Sequence, residues 1–138
     1  MATLQLPESE RKRLEAWMRE GYPQETCGLL IGRSRDGVTQ VVEVVQARNL
    51  NQERARDRYL LDPDDYLKAD ESARARGLSI VGIWHSHPDH PARPSATDRA
   101  HAWEGWSYLI ASVSREGVTD LRSWRLRSGA FEEEEVAA

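Results

Sequence analysis

Cysteine is nearly absent from this chain of 138 residues: Cys27 stands alone. A single thiol excludes an internal disulfide and any zinc cage built from cysteines. There is no charged segment leading into an apolar core of the secretory kind, and no apolar run of membrane length. Excess positive charge is missing too. The formal net charge is -4, and Arg54, Arg56 and Arg58 are interleaved with Glu53 and Asp57, as on a solvated face. A nucleic-acid partner is therefore disfavoured. No internal repeat or linker divides the chain. These absences predict one soluble cytoplasmic domain over residues 1–138, with neither membrane nor nucleic acid as partner. Composition carries no signal for an oligomeric state.

What is present reads as alternating helices and strands. Leu14, Trp17 and Met18 form a narrow i, i+3, i+4 stripe on a helix ending near Glu20, with Gly21 placed to stop it and Pro23 beyond. A strand over 25–32 follows, and Ser34-Arg35-Asp36-Gly37 turns it into a second over 38–47. Asp62 then Pro63 is an N-cap followed by proline at the first helical position, with Asp64 and Asp65 at the positive end of the dipole and Gly77 as the stop. Strands over 79–83, 106–113 and 118–126 complete the pattern. Residues 131–138 are either one more short strand from Phe131 or a solvated acidic tail. The order predicts an α/β fold: a mixed sheet with helices packed against it.

The chemistry is concentrated in Trp84-His85-Ser86-His87-Pro88, directly after the apolar run 79–83. Alternation along a strand sends His85 and His87 to one face, with Cα atoms about 6.6 Å apart. Two imidazoles so placed can share one ion, each nitrogen about 2.0–2.1 Å from zinc. Pro88, Pro91 and Pro94 take the chain out of the sheet and stiffen its return to Ser95 and Asp98. A carboxylate returning there makes a His, His, Asp set, which leaves one position of a zinc tetrahedron for water. Ser95-Ala96-Thr97-Asp98 is also a weak capping-box pattern. A helix starting at Ser95 and running through Trp103 would hold Asp98 rigidly in its first turn.

At these residues the chain resembles the JAMM, or MPN-plus, zinc metalloprotease family, in its compact prokaryotic form. That family's pattern is a distant Glu, His-(Ser/Thr)-His-Pro, seven residues between the second His and a Ser, two more, and an Asp. His85-Ser86-His87-Pro88 and Ser95-Ala96-Thr97-Asp98 fit it without a gap. The resemblance implies a curved central sheet between helices, layered like cytidine deaminases, with the site at one end of the sheet. It implies one zinc per chain on His85, His87 and Asp98. Glu25, just ahead of Gly28-Leu29-Leu30, takes the place of the family's general base, and Ser95 that of its oxyanion donor. Ser86, facing away, is assigned structural support.

The implied reaction is hydrolysis of an amide or isopeptide bond after the C-terminal Gly-Gly of a ubiquitin-like or sulfur-carrier protein conjugate, such as a cysteine adduct. A tail without side chains can lie along an exposed strand edge and reach a recessed metal. Two alternatives stand beside this reading. One is a structural zinc closed by a fourth ligand from His90, His101 or Cys27; the other is a non-catalytic protein-binding module of the same fold. Cys27 reads first as a small buried hydrophobe.

Overall fold

The computed structural model describes residues 2–51, 60–96, 98 and 102–138. Among them are seven strands and two helices: β1 (Thr3–Gln5), α1 (Glu8–Gly21), β2 (Cys27–Arg35), β3 (Val38–Ala47), α2 (Pro63–Ala75), β4 (Ser79–Pro88), β5 (Ser107–Ser114), β6 (Gly117–Arg127) and β7 (Ala130–Ala137). The expected mixed α/β class holds. The solvated-face reading of the arginines at 54, 56 and 58 lies outside the described residues, as do residues 97 and 99–101 of the helix expected over 95–103. Among the described residues of that helix, Ala96 and Asp98 are helical, whereas Ala102 and Trp103 are not, so the expected run through Trp103 stops short.

Local rules account for most boundaries. The Asp62 side chain caps α2 by accepting from Asp64 N–H at 2.9 Å, and Pro63 occupies the first turn. The hairpin between β2 and β3 turns on Asp36 and Gly37, both at positive φ (53° and 80°), the pair a type I′ turn requires. No helix of the described residues is long and apolar enough to cross a membrane.

The mixed, curved sheet closes on itself. Strand order is β1-β3-β2-β4-β5-β6-β7, and β1 returns to pair β7, forming a barrel. Closure depends on two segments that the sequence marks poorly. β1 spans three residues and pairs in parallel with both β3 and β7. β7 is a strand and not an acidic tail, because Glu134 turns inward. Its carboxylate is 2.9 Å from Arg125 Nη2 and accepts from Ser123 Oγ at 2.7 Å. Arg125 also donates to Thr39, so this buried polar group spans β3, β6 and β7. At His85, β4 is paired on both sides, with Cys27 of β2 and Ile110 of β5. The ladder with β2 ends at His85, and beyond it His87 and Pro88 are paired with β5 alone.

Two apolar clusters clamp β2 and β4. On one side Leu14 and Met18 of α1 meet Leu30, Val81, Trp84 and Leu109. On the other, Ala69 and Ala73 of α2 meet Leu29, Ile31 and Ile80. Trp84, next to His85, is fully buried and stacks on Trp17 at 5.8 Å, with the Arg13 guanidinium 5.1 Å from the Trp17 ring centre. Its indole N–H crosses β2 to donate to Val45 O of β3 at 3.0 Å. That crossing needs a gap in β2, and Gly28 supplies it. A Cβ there would stand 2.0 Å from Val45 O and 2.4 Å from the indole nitrogen.

Gly28→Ala should therefore break the indole bond and force the strands apart. The expected loss is about 2–4 kcal/mol, overpacking plus an unsatisfied buried N–H. Urea unfolding measures it, and a wild-type midpoint would show that β2 has slack at this position.

Candidate metal centre

The side chains of β4 alternate, and at its end they sort the site. Trp84 faces the α1 cluster, His85 and His87 share the opposite side, and Ser86 lies between them. His85 Nε2 and His87 Nε2 are 3.1 Å apart. Asp98 meets both: Oδ2 lies 3.2 Å from His87 Nε2, and Oδ1 lies 3.4 Å from His85 Nε2. Ligand atoms on a zinc tetrahedron with bonds of 2.0–2.1 Å are separated by roughly 3.3 Å. The observed spacings match that figure, and two imidazoles with a carboxylate are a donor set suited to zinc. Glu25 adds a second carboxylate: its oxygen and the two imidazole nitrogens all lie within 4.8 Å of one another. All of these groups except Asp98 are buried.

The aim of each group is set by its neighbours. His87 Nδ1 lies 2.8 Å from Pro91 O, a contact that keeps the proton on Nδ1 and turns the Nε2 lone pair inward. Asp98 is aimed by a reciprocal cap in which Ser95 N–H donates to Oδ2 at 2.8 Å and Asp98 N–H donates to Ser95 Oγ at 3.0 Å. Capping and ligand placement are thus one arrangement. It leaves the Ser95 hydroxyl proton free to be donated elsewhere. The connection carrying Pro91 is fastened by Asp89 N–H to Val113 O (2.8 Å), by the Tyr22 hydroxyl to both Asp89 carboxylate oxygens (3.0 and 2.8 Å) and by the Trp124 indole to Ala92 O (3.0 Å).

Burial lowers the pKa of His85, against the pull of Asp98. Burial acts on His87 in the same sense, but the bonds to Asp98 and Pro91, with the charges of Asp98 and Glu25, outweigh it and raise that pKa. Asp98 resists its own burial: the bonds to His85 and His87 hold it far below the usual carboxylate range. An ionised carboxylate beside a neutral His85 is the protonation state a metal requires of its ligands.

Glu25 lies just ahead of β2 and not inside the strand expected over 25–32. Its segment is held by Ser86, whose Oγ accepts from Thr26 N–H at 2.9 Å while Ser86 N–H donates to Thr26 O at 3.0 Å. The support expected of Ser86 is present. Two participants had no sequence signal: the Pro91 carbonyl, which any residue could supply, and Asn49, whose side chain reaches Glu25 O at 3.1 Å.

Residues 7–127 match the family described as prokaryotic homologs of the JAB domain. The chain belongs to that family. It is 38% identical over 128 residues to a protein named desampylase from Haloferax volcanii, covering 88% of this chain and 87% of the relative. It is 32% identical to the CysO-cysteine peptidase of Mycobacterium tuberculosis, covering 88% and 81% of the two chains. Identity is 34% to a probable TtuB-protein conjugate cleaving protease from Thermus thermophilus, covering 91% and 78%. Among solved structures, a Desulfitobacterium hafniense protein superposes with a TM-score of 0.82 at 33% identity, covering 99% of this chain and 91% of that one. A JAB1/MPN domain protein from Archaeoglobus fulgidus shares the fold at a TM-score of 0.55 and 18% identity, covering 100% and 98%.

Within this JAB domain Cys27 pairs with His85 across the ladder, yet its thiol turns to Ala47 O and Arg48 O, each at 3.9 Å. His90 is exposed, and His101 lies outside the described residues. Burial, then the charges of Glu25 and Asp65, push the Cys27 thiol up to about 12. At pH 8 the folded protein should therefore react with iodoacetamide at least about 10³-fold more slowly than the urea-unfolded chain, read by mass spectrometry. The sign for stability follows: the unfolded thiol ionises first, so its contribution is complete below about pH 9 and is lost as pH rises through about 12. Rapid native-state alkylation would show a thiol exposed to solvent.

Proposed function

We propose that this chain is a zinc-dependent peptidase acting on protein conjugates. It hydrolyses the amide or isopeptide bond that follows the C-terminal Gly-Gly of a ubiquitin-like or sulfur-carrier protein. What carries the reading is the 3.1–3.4 Å spacing of His85, His87 and Asp98, which suits one tetrahedral ion. His85, His87 and Asp98 hold the zinc, one per chain, in a single domain. Bound zinc supplies Lewis-acid chemistry, polarising a carbonyl and making water acidic near neutral pH.

The remaining roles belong to the protein's own groups. Glu25 accepts the proton of the attacking water and passes it to the leaving amine. A C–O bond forms, the C–N bond breaks, and the products are a carboxylate and an amine. Ser95, whose oxygen accepts from Asp98 N–H, directs its own proton at the developing oxyanion. The burial of His85, His87 and Glu25 favours a substrate that reaches them as a thin tail, which supports a glycine-terminated chain. The names of the relatives, desampylase and CysO-cysteine peptidase, support the same class.

A second reading has its own support, because Glu25 is near enough to both imidazoles to close the coordination shell as a structural site. One set of variants separates the two. Wild-type protein should carry close to one zinc per chain, and His87→Ala should lose it. Glu25→Gln should keep the zinc while turnover drops roughly 10²–10⁴-fold. Ser95→Ala should cost roughly 10²-fold. Loss of zinc from Glu25→Gln would make Glu25 a ligand.

Substrate class is tested with a sulfur-carrier protein bearing a C-terminal amino-acid adduct, beside a version whose Gly-Gly is replaced by Ala-Val. Mass spectrometry should show the adduct lost from the first alone, and only with zinc. Equal cleavage of both, or cleavage of unrelated unfolded peptides, would point to a general small metallopeptidase.

A further inference from the structure

The ladder between β2 and β3 ends at the pair Cys27 and Ala47, so Glu25, with Thr26 after it, lies just beyond the sheet. On its β4 side the segment is held through Thr26 by Ser86. On its β3 side no strand continues. Arg48 is committed to α2, its backbone N–H to Asp65 Oδ2 at 2.8 Å and its guanidinium to Asp62. The ladder's place is taken by a side chain. Asn49 Nδ2 donates to Glu25 O at 3.1 Å, as a strand N–H would. The same carboxamide accepts two backbone N–H groups at Oδ1, from Leu60 at 2.8 Å and Asn51 at 3.0 Å. One planar amide therefore joins the Glu25 backbone to both ends of the connection between β3 and α2.

We propose that Asn49 is a positioning residue for Glu25, holding the base at its working distance from the zinc ligands. The inference rests on the reading of Glu25 as the base. The chemistry selects this residue type. The position needs a donor toward Glu25 O and an acceptor with two lone pairs toward Leu60 and Asn51, both on a short stem. Aspartate has no donor, serine is too short to span both sides, and glutamine is a methylene longer. The tether matters because a general base works within about 2.6–3.2 Å of the proton it takes, and misplacement by about 1 Å can cost about 10² in rate.

The test uses the full zinc-loaded chain and the variants Asn49→Ala, Asn49→Asp, Glu25→Gln and the Asn49→Ala/Glu25→Gln double variant. Asn49→Asp keeps an acceptor toward Leu60 and Asn51 but replaces the donor with a charged oxygen facing Glu25 O, so it turns the tether into a repulsion, whereas Asn49→Ala removes it without adding charge. Two readouts apply. Backbone ¹⁵N relaxation should show order parameters at Glu25 and Thr26 falling from about 0.85 toward 0.6 in both Asn49 variants, with Leu29 to Ile31 of β2 unchanged and zinc retained. On a Gly-Gly conjugate, Asn49→Ala should lower kcat roughly tenfold with KM within about twofold, and should cost nothing further in the Glu25→Gln background.

Rigid Glu25 and Thr26 amides in both variants would overturn the proposal. So would an equal tenfold loss with and without Glu25, which is the mark of a general structural role, or failure of both single variants to fold. Should the wild type cleave no conjugate at all, the functional reading fails, while the relaxation data still decide whether Asn49 holds the segment.

Discussion

Two imidazole nitrogens and a carboxylate within 3.1–3.4 Å of one another impose the constraint on which the molecule depends. Such a group must be taken out of water, and burial penalises its charged forms. Left to themselves, the three side chains would separate into solvent. They are held because each is fixed by something stiffer. His85 and His87 share one face of β4, which is paired on both sides at His85 and with β5 at His87, and Asp98 is locked into a reciprocal cap with Ser95.

That rigidity comes from the placement of β4 between β2 and β5 in the barrel wall. A strand flanked by β2 and β5 cannot slip by one residue without exchanging the faces of Trp84 and His85, and the two faces are not interchangeable. One seats an indole that stacks on Trp17 and reaches Val45 O past Gly28. The other presents the two imidazoles. The stacked tryptophans therefore act on the site indirectly, by making every other register costly. Ser86, lying between the histidines, draws the Glu25 segment alongside through Thr26, so one strand organises ligands and base together.

The far side of the barrel is built on different physics. There Arg125 and Glu134 form a buried ion pair, supported by Ser123 and Thr39. Removing one partner of such a pair leaves an uncompensated charge, at a cost of roughly 3–5 kcal/mol. The pair ties β7 to β6, and β7 receives β1, so closure of the sheet draws on this polar contact together with Leu4 of β1 and Val136 of β7 in the main apolar cluster. Membership of the JAB family, and the shared fold at 18% identity with the Archaeoglobus fulgidus protein, are consistent with a scaffold that tolerates wide sequence change.

Features governed by neighbours in the chain were readable from the sequence. The period of a strand puts His85 and His87 on one face; proline-stiffened spacing returns Asp98; Asp62-Pro63 starts α2; Asp36-Gly37 turns the first hairpin. Each is decided by backbone sterics or by a hydrogen bond spanning a few residues. The placement of Glu25 came from family resemblance, because nothing local separates it from an exposed strand end. The remaining features were decided by tertiary structure alone. β1 is too short to show a period, and residues 132–135 look like a solvated tail until Arg125 of β6 neutralises Glu134. Asn49 reads as an ordinary polar residue after a strand until β2, lying beside it, offers the Glu25 carbonyl. In these cases the partner that gives a residue its energy lies on another segment, 24 residues away for Asn49 and 11 for the Ser123 hydroxyl on Glu134, and the pairing of neighbouring strands brings the two together.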